Sequence, residues 1–370
     1  MSQTATKEVR QDYWALVRRR FLRNRQGAGG LAVVLLLFLT ALSAPIIAND
    51  RPIVASYKGD MVFPAFTTYV DIWVPWQSMR FRLKSWELGD QDPPYFPFSD
   101  HYVEMESDSW KDVKDSPDLG FAIWPPVSWH PNQIDGTALK LKPGEGEGHS
   151  LGTDDLGRDV LSRLIHGTVV AMLVGIFSQG LAATIGITLG LAAGYFAGKV
   201  DMVLSRLTEM VMCFPTFFLI IAVIAFLEQS IINIMLVLGL VGWTGIFRLV
   251  RGEVMRVRDL DFVIAARALG VPDLRIMFRH VLPNAISPVF VALAFGVAGS
   301  VLVETSLSFL GFGDPTMPSW GEIVQQGRLY INQGLWHLTV YPGIAIFITL
   351  TAFNLFGQGL RDALDPKLRD

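Results

Sequence analysis

The chain has 370 residues, 51% of them hydrophobic and 18% charged, with a mean hydropathy of +0.37; soluble domains carry about a quarter charged residues, so much of this surface needs a solvent other than water. Cys213 is the single cysteine, which excludes a disulfide framework and a multi-thiolate metal site within one chain. The formal net charge of −3 argues against nucleic acid as a partner, because neutralising phosphates takes a basic surface.

The first 27 residues carry Lys7, Arg10, Arg18, Arg19, Arg20, Arg23 and Arg25 against Glu8 and Asp12, a basic terminus that should stay on the cytoplasmic side. An apolar run over 28–48 follows, long enough to cross a hydrocarbon core of about 30 Å. Small residues at Ala41-Leu42-Ser43-Ala44 offer a signal-cleavage alternative, but the run outlasts a signal core and Pro45 follows the would-be cut. Residues 49–150 form an outer insertion holding six of ten tryptophans and eleven of twenty prolines. Proline forbids long helices and the aromatics oppose disorder, so a compact irregular elaboration with short strands is expected. Its tryptophans have two readings, packing at the membrane interface or binding a ligand, and the first is favoured. Gly144-Glu145-Gly146-Glu147-Gly148 reads as a flexible joint.

Five more apolar runs lie near 168–197, 204–227, 231–248, 286–311 and 338–358. Backbone polar groups cannot stay unpaired in lipid, so each run should be a helix, giving an all-α polytopic membrane protein with six spans and a Pro/Trp-rich periplasmic insertion between the first two. Between the fourth and fifth runs lie seven arginines against four acids, while residues 49–167 carry 11 basic and 19 acidic residues. That asymmetry puts the loop and both termini inside and the insertion outside.

Motifs for covalent chemistry are absent. The nearest match to a phosphate-binding loop ends at Gly198-Lys199 but has Ala193 where its first glycine belongs, and His101, His130 and His149 lack metal-ligand spacing and read as surface imidazoles. Gly186, Gly190, Gly194 and Gly198 recur every fourth residue, a stripe that lets another helix approach closely. Pro215 should break the third helix and kink it, with a cavity lining or plain packing as its consequence. Glu304 falls inside the fifth run, where a carboxylate is costly unless it faces water or a partner such as Arg328; Glu209 is close enough to the inner surface to be solvated. Pro215, Glu304 and Ser306 are the candidate translocation-path residues.

The inner segment 251–285 is the most informative. Asp261 can cap a short helix, Gly270 can end it in a left-handed conformation, and Pro272 suits the start of a second helix that stops before Pro283. Small Ala265 and Ala266 permit close approach, and Leu274, Met277 and Phe278 give an apolar face edged by Arg275 and Arg279. Such a knob fits a protein partner; an amphipathic segment lying on anionic lipid is the alternative.

This segment resembles the cytoplasmic coupling loop of bacterial ABC-importer permeases, whose motif is Glu-Ala-Ala, three residues, Gly and a downstream Leu-Pro. It matches at Ala265, Ala266, Gly270, Leu282 and Pro283, carries His280 as peptide-importer members often do, and departs at Ile264, where Glu is usual. Three further stretches resemble the dipeptide and oligopeptide branch: His149 through Arg163, Glu304 through Gly321, and Tyr341 through Pro366. The long outer segment is similar to that of the larger second permease of Yej-type oligopeptide and microcin C importers.

The resemblance implies a type I permease core over 151–366 and a non-catalytic subunit translocating peptides or peptide-like compounds. Its implied partners are a second permease, two cytoplasmic ATPase subunits or domains and a periplasmic substrate-binding protein. No cofactor is expected on this chain, with ATP and Mg on the partner subunits, and no nucleic acid. Ala265, Ala266, Gly270, Arg275, His280, Leu282 and Pro283 form the expected ATPase-coupling set. An ion-coupled peptide carrier and a membrane receptor or scaffold are the competing readings, and neither accounts for the inner knob.

Overall fold

The computed structural model describes residues 15–57, 60–66 and 119–364. Trp73, Trp76, Trp86, Trp110 and His101 lie outside the described residues.

Residues 15–23 are helical, and Asn24 separates them from α1 (Arg25–Ile47). Outside the helices, β1 (Val54–Tyr57), β2 (Asp60–Val62) and β3 (Leu119–Ile123) form an antiparallel sheet in the order β2-β1-β3. Then follow α2 (Val160–Phe196), α3 (Gly198–Met212), α4 (Thr216–Ile224) and α5 (Ile231–Arg258). The inner loop holds α6 (Asp261–Ala268), α7 (Asp273–Ile276), a π-helical turn (Met277–Val281) and α8 (Leu282–Ala285). The remainder is α9 (Ser287–Phe309), α10 (Trp320–Tyr330) and α11 (His337–Leu364).

Among the described residues five helices are long and apolar enough to span a bilayer (α1, α2, α5, α9 and α11), and α3 with α4 make a sixth, broken candidate bent by 77°. The expected kink at Pro215 is therefore a full break: Pro215, at the start of α4, has no N–H to give and the chain turns sharply at residues 213–215. Several spans run past their expected bounds, α2 and α5 furthest. α2 begins at Val160 instead of 168, and α5 runs to Arg258 instead of 248, because both extensions are polar enough to lower hydropathy while remaining helical. α1 and α11 expose Leu35, Leu36, Leu39, Leu42, Ile344, Phe347 and Ile348, large apolar side chains suited to lipid.

The chain divides into two compact units, Met1–Leu37 with Ala171–Pro315 and Ile344–Asp370, and Phe38–Val170 with Thr316–Gly343. In the first, α2 packs along α5 through its glycines. A Cβ on Gly186 would lie 2.8 Å from the Trp243 carbonyl oxygen, one on Gly190 2.8 Å from that of Phe247, and one on Gly194 2.8 Å from Val254 Cβ. Gly198 is not part of this seam. α2 ends at Phe196, Ala197 and Gly198 both take positive φ, and a Cβ on Gly198 would meet nothing within 4 Å. Its spacing matches the stripe, but its role is the turn into α3. Beside the seam, Ser178 Oγ donates to the Met235 carbonyl at 3.2 Å and Gln179 Nε2 to Ser300 Oγ at 2.9 Å, tying α2 to α5 and α9.

In the second unit the sheet sits beside a crossing where Ile47 and Asn49 pair with Val127. The glycine run 144–148 is a hydrogen-bonded turn, not a loose joint: its three glycines have φ of +83°, +86° and +86°, Lys142 N–H donates to Glu145 Oε2, and Trp129 Nε1 donates to the Gly148 carbonyl.

Candidate functional site

The knob between α5 and α9 is built by local rules. α6 starts with Asp261 as its first helical residue, so the capping position belongs to Leu260, which offers no side-chain acceptor; the Asp261 carboxylate instead favours the positive end of the helix. The other end closes with Gly270 at φ +74°, its N–H on the Arg267 carbonyl (3.0 Å) and the Val271 N–H on that of Ala266 (3.2 Å). These two bonds define a Schellman closure, which needs a left-handed residue at the Gly270 position. Pro272 then leads into α7.

The second helix does not stop before Pro283. The chain widens into the π turn, where the Leu282 N–H reaches back to the Met277 carbonyl, and Pro283 follows inside α8. A widened turn moves the carbonyl that a proline ring would strike, so the chain stays helical. Asn284 Nδ2 donates to the His280 carbonyl at 2.6 Å, satisfying one acceptor there.

The face that this segment presents differs from the expected one. Leu274 and Phe278 are exposed, but Met277 is buried with Ile276, contrary to the expected Leu274, Met277, Phe278 face. Val263, Ala266, Ile276, Met277, Val281 and Ala285 join one core with Leu191, Tyr195, Val250, Val254 and Val257. The outer surface carries Phe262, Ile264, Leu274 and Phe278, with Leu269 at its tip 83% exposed. Ala265, Arg267, Arg275 and Arg279 are exposed around it, His280, Leu282 and Pro283 are half-buried at the foot, and Ala266 faces the core.

One polar bond fastens this knob to α2, and two more brace the long helices beneath it. Tyr195 Oη, near the end of α2, donates to Asp273 Oδ1 at 2.6 Å, and the Arg267 guanidinium lies 5.4 Å from the Tyr195 ring centre. The Tyr195 hydroxyl holds Arg267 above its ordinary pKa. Arg258 Nη1 donates to the Gly194 carbonyl at 3.0 Å, and Arg251 grips Asp201 through both Nε and Nη2, the latter at 2.7 Å from Oδ2. The knob is thus an apolar crown on a stiff base, shaped for a socket. Tyr195 and Asp273 escaped the sequence reading; a lone tyrosine at the end of an apolar run was the only signal.

The path candidates are less assembled. Glu304 is buried on α9, where Ser308 Oγ donates to its Oε1 at 2.7 Å and Thr305 Oγ1 to its Oε2 at 3.4 Å. Ser306, two residues on and therefore about 200° around the helix, is half-buried and donates to the Leu302 carbonyl. Pro215 is exposed at the break before α4. Glu209 is exposed and paired with Arg206 at 2.7 Å.

In the second unit, residues 149–163 make a buried clasp. Asp154 Oδ2 accepts from Arg158 Nε at 2.7 Å and from Arg163 Nη1, while Arg163 Nη2 lies 3.0 Å from Glu322 Oε1 on α10. Asp159 Oδ1 accepts from the Ser162 N–H at 2.7 Å, and its Oδ2 meets His149 Nδ1 at 2.9 Å. Burial pushes the Asp159 carboxyl up, against the pull of those partners. His149, expected at the surface, is 2% exposed with Trp129 stacked on it at 4.1 Å, since the Asp159 pairing lets the ring be buried.

Residues 186–370 match the model of binding-protein-dependent transport system inner membrane components, and residues 12–61 match that of the N-terminal transmembrane domain of oligopeptide transport permease C. The glutathione transport system permease protein GsiD of Pectobacterium atrosepticum is 39% identical over 62% of this chain and 76% of its own length. The inner membrane ABC transporter permease protein YejE of Escherichia coli is 32% identical over 97% of both chains. The peptidoglycan transport system permease protein YejE of Agrobacterium fabrum is 30% identical over 99% of this chain and 97% of its own.

Proposed function

The chain belongs to the family of binding-protein-dependent transport system inner membrane components, and from that premise we propose that it is the permease subunit of an ATP-driven importer of peptides or peptide-like compounds. The cargo follows from the relatives: those named for glutathione and peptidoglycan share amide-linked chemistry. The two YejE relatives extend along nearly the whole chain, which supports kinship with them over the shorter peptide permeases.

The observation that carries the mechanism is the apolar crown of Leu269, Leu274 and Phe278 on a base hydrogen-bonded to α2 and packed against α5. Exposed leucine and phenylalanine on an otherwise polar, arginine-edged surface fit a partner's pocket. The proposed occupant is a nucleotide-hydrolysing subunit on the cytoplasmic side, one under each of two paired permeases. Closure of those subunits on ATP would push the crown, and the base would pass the movement to α2 and α5. Ala266 and Gly270 shape the knob, Arg275 and His280 flank it, and Leu282 with Pro283 root it. Hydrolysis belongs to the partner subunits, and an external binding protein would deliver the peptide to the outer face.

For a ligand to shift such an equilibrium it must favour one state, and moving from 1:99 to 99:1 takes about 5.5 kcal/mol of differential binding. A stiff base is what allows that energy to reach the spans. Purification from native membranes, followed by identification of the accompanying chains, is expected to yield a second permease and nucleotide-hydrolysing subunits in stoichiometric amount. Recovery of this chain alone, together with peptide uptake driven by a proton gradient, would overturn the proposal.

A further inference from the structure

A basic cleft at the start of the first span is separate from the knob. It is lined by Leu16, Arg19, Arg20, Arg23, Asn24, Asp362 and Ala363 and has a volume of about 660 Å³. Its walls are well fixed. Val17 and Phe21 are buried against Phe356, Leu360, Ala363 and Leu364, and the Phe21 and Phe356 rings meet edge to face at 5.8 Å. Just above, Gly27 and Gly359 touch backbone to backbone: a Cβ on Gly27 would lie 2.6 Å from the Gly359 Cα. Asn24 joins the two walls, accepting from the Gln26 and Gly27 N–H groups at 3.1 Å each and donating to Asp362 Oδ2 at 2.9 Å.

The charge in this cleft is unbalanced. Among the described residues Arg19, Arg20 and Arg23 face one carboxylate, Asp362, which Asn24 already engages. Among the described residues none of the three arginines has an ion-pair partner. Spacings of three and four residues place Arg20 and Arg19 each beside Arg23 on the helix surface, so the guanidiniums can converge on one anion.

Position identifies the anion. α1 has 23 residues, about 34 Å at 1.5 Å per residue, which fills a hydrocarbon core of about 30 Å. The cleft precedes its first residue and therefore lies at headgroup depth. Leu16 and Leu22 are exposed on the same short helix, 44% and 61%, where acyl chains would cover them. We infer that Arg19, Arg20 and Arg23 form a binding site for the phosphodiester headgroup of an anionic phospholipid, which fastens the amphipathic helix 15–23 to the inner end of α11. Guanidinium pairs phosphate oxygens bidentately, and juxtamembrane cations gain energy near an anionic leaflet.

The test uses the assembled importer in vesicles of phosphatidylcholine alone or with phosphatidylglycerol, and native mass spectrometry after partial delipidation. The wild-type complex is expected to keep bound phosphatidylglycerol, and the triple variant R19Q/R20Q/R23Q to lose affinity for it on the order of 100-fold. The lysine variant R19K/R20K/R23K, which keeps charge if the helix packing suffers, should recover part of the retention. Equal retention in the wild-type and glutamine complexes would overturn the inference. So would full occupancy by inorganic phosphate without lipid, since that would make the site one for a free anion.

Discussion

Replacing Gly270 separates backbone geometry from bulk. At φ +74° an L-residue is strained by about 1–2 kcal/mol, yet a Cβ there would meet nothing within 4 Å. The whole cost of Gly270→Ala is therefore conformational, and it falls on the Schellman closure that sets the angle between α6 and α7. If the strain is relieved by opening that closure, about 1.4 kcal/mol shifts the knob's equilibrium tenfold away from the docked shape. The assay is ATP hydrolysis of the reconstituted importer, stimulated by peptide-loaded binding protein, with membrane abundance measured in parallel. Gly270→Ala is expected to keep normal abundance and lose about tenfold of the stimulation, and a β-branched or bulky residue to lose more. Gly270→Asn, which adopts the left-handed region readily, should retain most of it. Equal loss in Asn and Ala variants would refute the backbone argument, and normal stimulation in all of them would refute the coupling role.

Leu269→Glu changes the crown without touching the core, so stimulated hydrolysis should collapse while the melting temperature of the purified chain stays within error. Gly190→Val puts side-chain atoms where even a Cβ lies 2.8 Å from the Phe247 carbonyl, so α2 and α5 must separate; a destabilisation of about 1–3 kcal/mol should appear as a lower melting temperature. Gly198→Val meets no neighbour, so its cost by the same measurement should be conformational alone, about 1–2 kcal/mol for a side chain forced to φ +54°, and Gly198→Asn should recover most of it. Asp154→Asn removes the carboxylate between Arg158 and the 1%-exposed Arg163; with Glu322 still 3.0 Å from Arg163, the lost charge-assisted bonds should cost about 1–3 kcal/mol, read as a lower melting temperature and rescued by no change in the knob.

Much of this architecture is legible in the residues. Apolar length alone locates all the spans, and glycine at every fourth position locates the face of α2 that meets α5 at Gly186, Gly190 and Gly194. The misses have specific causes. Arg163 and His166 lower the hydropathy of the first turns of α2, yet Asp154 and the Ala48 carbonyl satisfy them, so the helix starts eight residues earlier than composition suggests. Gly198 follows the stripe's spacing after the helix that gives the spacing meaning has ended. Met277 points inward with Ile276 into the core shared with α2 and α5, a long-range packing that the local apolar spacing of Leu274, Met277 and Phe278 does not reveal. The Tyr195–Asp273 bond joins residues 78 apart, beyond any local pattern.

The most direct test places a photoreactive amino acid at Leu269, the tip of the knob, in otherwise native membranes. Irradiation should join this chain to a nucleotide-hydrolysing subunit, with a yield that changes when ATP is added. Adducts to lipid alone, under every nucleotide condition, would contradict the account.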